Sequence, residues 1–190
     1  MTKERVDVLA YNQGLFDTRE QAKRGVMAGI VINALNGERF DKPGEKISDD
    51  LELMIKGEKL PFVSRGGLKL ARALQAFDIS VLDQTAIDIG SSTGGFTDVM
   101  LQNGAKLVYA VDVGTNQLAW KIRQDDRVVV MEQFNFRYAK PEDFSHDLPT
   151  FASIDVSFIS LALILPALYN ILLEGGQVVA LIKPQFEAGR

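Results

Sequence analysis

Cysteine is absent from the 190 residues. That excludes disulfides, thiolate metal sites and cysteine nucleophiles. Histidine occurs once, at His146, so a histidine-based metal site lacks a second ligand and the residue reads as part of a loop. Positive charge is not in excess either: 21 Lys and Arg stand against 25 Asp and Glu, a net charge of −4. Any binding of nucleic acid would therefore rest on local basic patches. No long apolar run follows Met1-Thr2-Lys3-Glu4-Arg5, so no signal peptide is expected. The most apolar segment, Phe158 to Leu173, contains Pro166 and Asn170 and falls short of the roughly 20 residues that span a membrane. The expectation is a cytoplasmic protein with no membrane and no metal partner. With 46% hydrophobic and 24% charged residues, the composition is that of a globular protein, and 190 residues allow one domain or one domain plus a small appendage.

The chain is organised around Thr85 to Val99, TAIDIGSSTGGFTDV. Thr85 to Ile89 is short, apolar and bounded by glycine, which predicts a buried strand. Gly90 to Gly95 form a loop of small residues, and Phe96 to Leu101 open a helix. In an open α/β sheet, ligands bind just past the carboxyl end of such a strand. Glycines there let backbone N–H groups approach a ligand at the positive end of the helix. Leu107 to Val111 predict a second strand that ends on Asp112, and an acid at that tip suits the paired hydroxyls of a ribose. The reading is a nucleoside-cofactor site. The spacing is not G-x-G-x-x-G, because Ser91 and Thr93 interrupt it.

Residues 1–60 have a different texture. Arg5 to Tyr11 carries Val6, Leu9 and Ala10 at helical spacing. A second helix runs from Thr18 to Gly29, with Gln21 three residues after Thr18 as in a capping box; Ala22, Val26 and Met27 would pack. Ile30 to Asn33 and Leu51 to Ile55 are strand-like, and Lys42-Pro43-Gly44 marks a turn. Gly57-Glu58-Lys59-Leu60-Pro61 reads as a linker. Residues 61–190 then alternate strands and helices: a helix over Leu68 to Leu74 presenting both leucines, a helix over Gln117 to Arg123, strands over Val128–Met131, Phe151–Ile154 and Gln177–Ile182, and a long helix from Ile159 to Leu173. Asn135 to Asp143 reads as a polar loop. Such alternation predicts a mostly parallel sheet covered on both faces.

Three charged residues stand out by position. Asp155 follows the fourth strand of this region and Lys183 the fifth, so both fall on the sheet edge that carries the Gly90 loop. Lys69 precedes the first strand on a helix that can close over the same crevice. An aspartate between two lysines suits activation of an alcohol, with one lysine as base, the aspartate orienting it, and the second lysine stabilising an alkoxide.

The motifs resemble known families at three levels. The 88–96 loop, D-I-G-S-S-T-G-G-F, resembles that of S-adenosylmethionine-dependent methyltransferases. This implies a cofactor set of Asp88, Gly90, Ser91, Ser92, Thr93, Gly94, Gly95, Phe96 and Asp112. The N-terminal region, through Arg5-Val6-Asp7, Thr18 to Ala22, Gly29 to Ala34 and Lys42-Pro43-Gly44, resembles the αL RNA-binding module shared by a small-subunit ribosomal protein, pseudouridine synthases and tyrosyl-tRNA synthetases. Arg5, Arg19, Lys23 and Arg24 would supply its phosphate contacts, with Arg65 added at the start of the second region. S-R-G-G-L-K at 64–69, Y-A-V-D-V-G at 109–114, I-D-V-S-F-I-S at 154–160 and I-K-P-Q-F-E at 182–187 complete a resemblance to the TlyA/hemolysin A family.

That last resemblance implies an α/β, Rossmann-like, FtsJ-like ribose 2′-O-methyltransferase domain behind a small α+β RNA-binding module. Ribosomal RNA would be the substrate, ribosomal subunits the partners and a cytidine ribose the acceptor. It implies that Lys69, Asp155 and Lys183 are three members of a K-D-K-E tetrad. In the family two further strands follow the fifth and carry the tetrad's glutamate, so those strands would lie outside this chain; Glu187 is too near Lys183 for that role. Two other readings compete: a non-catalytic ribosome-assembly factor that keeps the fold, and a lytic protein, which the lack of an amphipathic or spanning segment argues against.

Overall fold

A computed structural model describes residues 2–58 and 60–188. The chain divides into two compact units, Met1–Pro61 and Phe62–Arg190. Of the linker stretch, Lys59 lies outside the described residues.

In the first unit, β1 (Lys3–Arg5) leads into α1 (Val6–Asn12), followed by α2 (Arg19–Met27), β2 (Val31–Asn33), β3 (Arg39–Phe40), β4 (Lys46–Ser48) and β5 (Leu53–Ile55). β1 pairs antiparallel with β4, and β2 lies between β3 and β5. The helix expected from Arg5 therefore begins one residue later, because Arg5 pairs with Lys46. Strands of two or three residues show no period, which is why β1, β3 and β4 leave no mark in the sequence pattern. Thr18 accepts from the Gln21 N–H at 3.2 Å, but the Gln21 side chain reaches the Asp17 N–H rather than that of Thr18. Gly25 in α2 faces the ring of Phe16, which any side chain there would strike. Val6, Leu9, Ala22, Val26, Val31 and Leu53 make the core. Met27, expected to pack, is exposed instead.

The second unit holds α3 (Gly66–Ala76), β6 (Thr85–Ile89), α4 (Gly95–Gln102), β7 (Leu107–Val111), α5 (Trp120–Arg123), β8 (Val128–Met131), β9 (Phe151–Ile154), α6 (Leu161–Ile171), β10 (Gln177–Ala180) and α7 (Pro184–Glu187). The five strands form one parallel sheet in the order β10-β9-β6-β7-β8. Alternation along β6 sorts its side chains: Ala86 joins Leu70, Val99 and Met100 on one face, while Ile87 and Ile89 join Ile164, Leu168 and Ile171 on the other. The sheet is thus an α/β Rossmann-like layer whose central strands β6 and β9 are buried on both faces, while β8 is half-buried and β10 begins exposed.

Several elements differ from expectation for local reasons. In α3 the buried residues are Gly67, Leu70 and Leu74, and Leu68 is exposed. α5 is only four residues long, since Asn116 is left-handed at φ 55° and the Ala119 N–H turns back to the Thr93 carbonyl. β10 ends at Ala180 and α6 at Ile171. The loop after Asn135 contains two short 3₁₀ turns, and Phe136 in the first of them is buried against the sheet.

Candidate active site

Between β6 and β9 the strand order reverses direction, which is the switch point where open α/β sheets bind ligands. A cavity of about 340 Å³ lies there, past the carboxyl ends of β6, β7 and β9. That is within the usual range of small-molecule sites, about 300–1,000 Å³. Ile89, Gly90, Ser92, Asp112, Phe134 and Asp155 are among the residues that line it.

The loop after β6 is fastened to β7. The N–H groups of Gly90 and Ser91 both donate to the Val111 carbonyl at 2.9 Å, and the Ser92 N–H donates to Asp112 Oδ2 at 2.8 Å. These three donors therefore position the loop and do not face a ligand. Gly90, at φ 84°, has no room for a side chain, because a Cβ would collide with the Asp155 carbonyl oxygen. The absence of a side chain at Gly90 is what lets the β6 and β9 tips come together. Asp112 Oδ1 accepts from the Gly114 N–H at 2.8 Å. Each carboxylate oxygen keeps a second lone pair, and Asp112 is half-buried at the cavity wall.

The other expected cofactor residues are placed differently. Asp88 is fully enclosed. Its Oδ2 accepts from the Thr97 N–H at 3.0 Å and the Thr97 hydroxyl at 2.7 Å, and Ser153 Oγ lies 3.5 Å from Oδ1. It holds the start of α4 against β6 and β9 and presents nothing to the cavity. Burial pushes its carboxyl up to about 7, while Thr97 pulls it down and the charge of Asp155 adds to the rise. Phe96 is buried in the core on the α3 face. A Cβ on Gly95 would strike Ser64, so this glycine serves the close approach of α3 and α4. Ser91 and Gly94 are buried, Thr93 is half-buried, and none of these three lines the cavity. Of the 88–96 stretch, Gly90 and Ser92 reach the cavity, with Ile89 beside them.

Asp155 and Ser157 also line the cavity, and the Lys183 Nζ lies 2.6 Å from Asp155 Oδ1 and donates to Ser157 Oγ at 3.2 Å. Both charged side chains are about one-quarter exposed, at 25% and 27%, a site where a pair is partly shielded from water yet reachable. Lys69 sits exposed on the first turn of α3. No hydrogen bond or ion pair among the described residues joins it to Asp155 or Lys183. Phe158, to which the sequence alone assigns no role, takes φ 64° and projects 86% exposed at the cavity rim. Its ring centroid is 5.2 Å from that of Phe186. A bulky residue rarely adopts this backbone region; the only sequence signal for it is its place inside the I-D-V-S-F-I-S motif.

Of the basic residues in the first unit, Arg5 is clamped on Asp7 by two hydrogen bonds of 2.9 and 2.8 Å, which hold the Asp7 carboxyl below its ordinary range. Arg24 pairs loosely with Glu20 at 3.5 Å, and Arg19 and Lys23 are exposed on α2. Arg65 is half-buried at the N-cap position of α3, in the second unit. Among the described residues no cluster of His, Cys, Asp and Glu is arranged to hold a metal, and no helix is long and apolar enough to cross a membrane.

A parallel sheet with its order reversing at β6 and β9, a glycine loop at that point and an acid on the next strand tip define a Rossmann-like nucleoside-cofactor domain. The chain belongs to the FtsJ-like methyltransferases, whose family profile matches residues 62–190, and among them to the TlyA/hemolysin A group. It is 65% identical over 188 residues to the Bacillus subtilis (strain 168) protein named "Putative rRNA methyltransferase YqxC", covering 99% of this chain and 66% of that one. It is 42% identical over 189 residues to the Mycobacterium tuberculosis protein named "16S/23S rRNA (cytidine-2'-O)-methyltransferase TlyA", covering 99% and 69%. A solved structure titled "Putative hemolysin from Streptococcus thermophilus" superimposes with a TM-score of 0.79 at 77% identity, covering 100% of this chain and 69% of that one. The chain spans about two thirds of the length of these relatives.

Proposed function

We propose that this chain anchors RNA and binds cofactor for methylation of a ribose 2′-hydroxyl, that of a cytidine, in ribosomal RNA, with S-adenosylmethionine as methyl donor. The observation that carries the reading is the Lys183–Asp155 pair standing beside the Asp112 cavity on one sheet edge. The names of the two curated relatives support the substrate. A site of action in the cytoplasm, where ribosomes are assembled, goes with it.

The residues present suit the cofactor. Asp112 retains two acceptor sites for vicinal ribose hydroxyls, and Ile89, Val111, Phe134 and Phe136 offer apolar wall to a base. When bound, S-adenosylmethionine supplies a methyl group made electrophilic by its sulfonium. Asp155 orients the Lys183 side chain, which as the free amine takes the proton of the 2′-hydroxyl and as the resulting ammonium holds the developing alkoxide. Ser157 fixes a further side of the amine. The exposed ring of Phe158 offers a stacking face to a base turned out of the RNA, the way single-stranded bases are commonly held. Arg19, Lys23 and Arg24 supply phosphate contacts from the first unit, and Arg65 adds one from the second. Lys69 would join Asp155 and Lys183 only after α3 or its side chain moves on binding.

The test is incubation of the full-length protein with labelled S-adenosylmethionine and unmodified ribosomal subunits, followed by mapping of the modified ribose. Cofactor binding without methyl transfer would instead favour the non-catalytic assembly factor.

A further inference from the structure

Glu187 is exposed, yet both of its carboxylate oxygens are engaged. Oε2 accepts from the Ser160 hydroxyl at 2.7 Å and Oε1 from the Leu161 N–H at 2.8 Å. It thus caps the N-terminus of α6 from a different segment, where a negative charge is favoured by the unpaired N–H groups of the first turn. Two segments leave the sheet at adjacent strand tips, residues 155–160 after β9 and residues 181–187 after β10. They are joined in three places. Lys183 meets Asp155 and Ser157 next to the sheet, Phe186 meets Phe158 in the middle, and Glu187 meets Ser160 and Leu161 at the far end.

The joints occur in the same order along both segments, so the segments run side by side as one unit. Phe158 sits within that unit at φ 64°, and a backbone conformation this unfavourable persists only where its surroundings over-determine it. The geometry points to Glu187 as a positioning residue: by latching the 181–187 segment to the start of α6, it holds Lys183 against Asp155 and Phe158 turned outward. This rests on the reading that Lys183 and Asp155 handle the ribose hydroxyl. Glu187 touches no reacting atom, and its role is distinct from that of the tetrad's glutamate.

The test compares full-length wild type with Glu187→Ala and Glu187→Gln. The first readout is the acylation rate of the Lys183 amine by acetic anhydride, followed by mass spectrometry with Lys69 as internal standard; it needs no methyl transfer. In Glu187→Ala, Lys183 should label several-fold faster relative to Lys69. The second readout is steady-state methylation of ribosomal subunits. There kcat should fall about tenfold, because misplacement of a reacting group acts on the transition state, while KM for RNA and cofactor affinity stay within about twofold. Glu187→Gln keeps an acceptor for the Leu161 N–H and should recover most of both. If Glu187→Ala does not fold, Glu187→Asp, too short to reach both donors, takes its place in the same measurements. Unchanged Lys183 labelling overturns the proposal, and so does a loss confined to cofactor affinity. Faster labelling in a protein whose wild type transfers no methyl group would keep the latch and overturn the functional reading instead.

Discussion

Asp155 and Lys183 follow paired strands, with Ile154 opposite Ala180 in the register, and their charged groups meet at 2.6 Å. Parallel pairing puts both strand tips on one edge, so the intervening chain, including the whole of α6, does not separate them. Lys183→Ala should abolish methyl transfer while cofactor affinity stays nearly intact. Loss of a general base typically costs about 10²–10⁴ in rate. Single-turnover methylation beside calorimetry of cofactor binding measures both, and a fully active variant would move the chemistry elsewhere.

Among the described residues, Asp112 is the only cavity-lining carboxylate other than Asp155. Asp112→Ala removes the hydrogen bonds offered to a ribose, each worth roughly 1.5–3 kcal/mol for a charged acceptor. It also frees the N–H groups of Ser92 and Gly114, which loosens the loop. Affinity for S-adenosylmethionine should therefore fall by at least about tenfold. The conservative Asp112→Asn should weaken binding less, since its amide oxygen still accepts. Calorimetry that finds wild-type affinity in Asp112→Ala would remove Asp112 from the site.

How much of this is legible in the sequence depends on where each residue's signal lies. The strands β6 to β10 announce themselves as apolar runs, and the helices between them fix a parallel sheet; from there the convergence of Asp112, Asp155 and Lys183 follows from topology alone. Asp88 misleads because a sequence motif gives spacing, not facing. On β6 it shares a face with Ala86, toward α4, and there it meets Thr97 in the core. Phe96 and Gly95 belong to the motif for the same reason, as packing residues of α4. Glu187 and Phe158 are illegible because their partners lie 26 to 28 residues away, on a segment whose path only the folded chain defines.

The buried Asp88 gives a pH dependence with a definite sign. Its carboxyl is raised from 3.8 to about 7, chiefly by burial. The folded protein therefore binds the proton more tightly than the unfolded chain. Stability from this group is full below pH 3.8 and declines as pH rises towards about 7, by on the order of 4 kcal/mol. Asp88→Asn keeps an oxygen for the two Thr97 donors and places its amide near Ser153. The variant should thus gain stability over wild type progressively between about pH 4 and 7, then hold a constant lead. Urea titrations of both proteins across that range would show it. A difference that does not change with pH would mean that Asp88 is ionised in its buried site throughout.

The last prediction concerns the first unit, where charge alone gives little guidance because acids interleave with bases. Arg5 is the weakest candidate of its group, since its guanidinium is already held by Asp7 on two nitrogens. Turning to RNA would leave the buried Asp7 carboxylate with the Val8 N–H as its remaining hydrogen-bond donor among the described residues. Arg19 and Lys23 are exposed, and the 3.5 Å pairing of Arg24 with Glu20 lies on an open helix face, where such pairs contribute little. All three can meet phosphate at small cost. A protein with Arg19, Lys23 and Arg24 changed to Ala should bind ribosomal RNA more weakly and with a flatter dependence on salt, the log–log slope falling by roughly 0.7–0.9 for each phosphate no longer neutralised. Arg5→Ala should act mainly on stability, leaving that slope near its wild-type value. Filter-binding at several salt concentrations, run beside urea melts, separates the two effects. A slope that falls in Arg5→Ala but not in the triple variant would put the RNA on the α1 side of the unit.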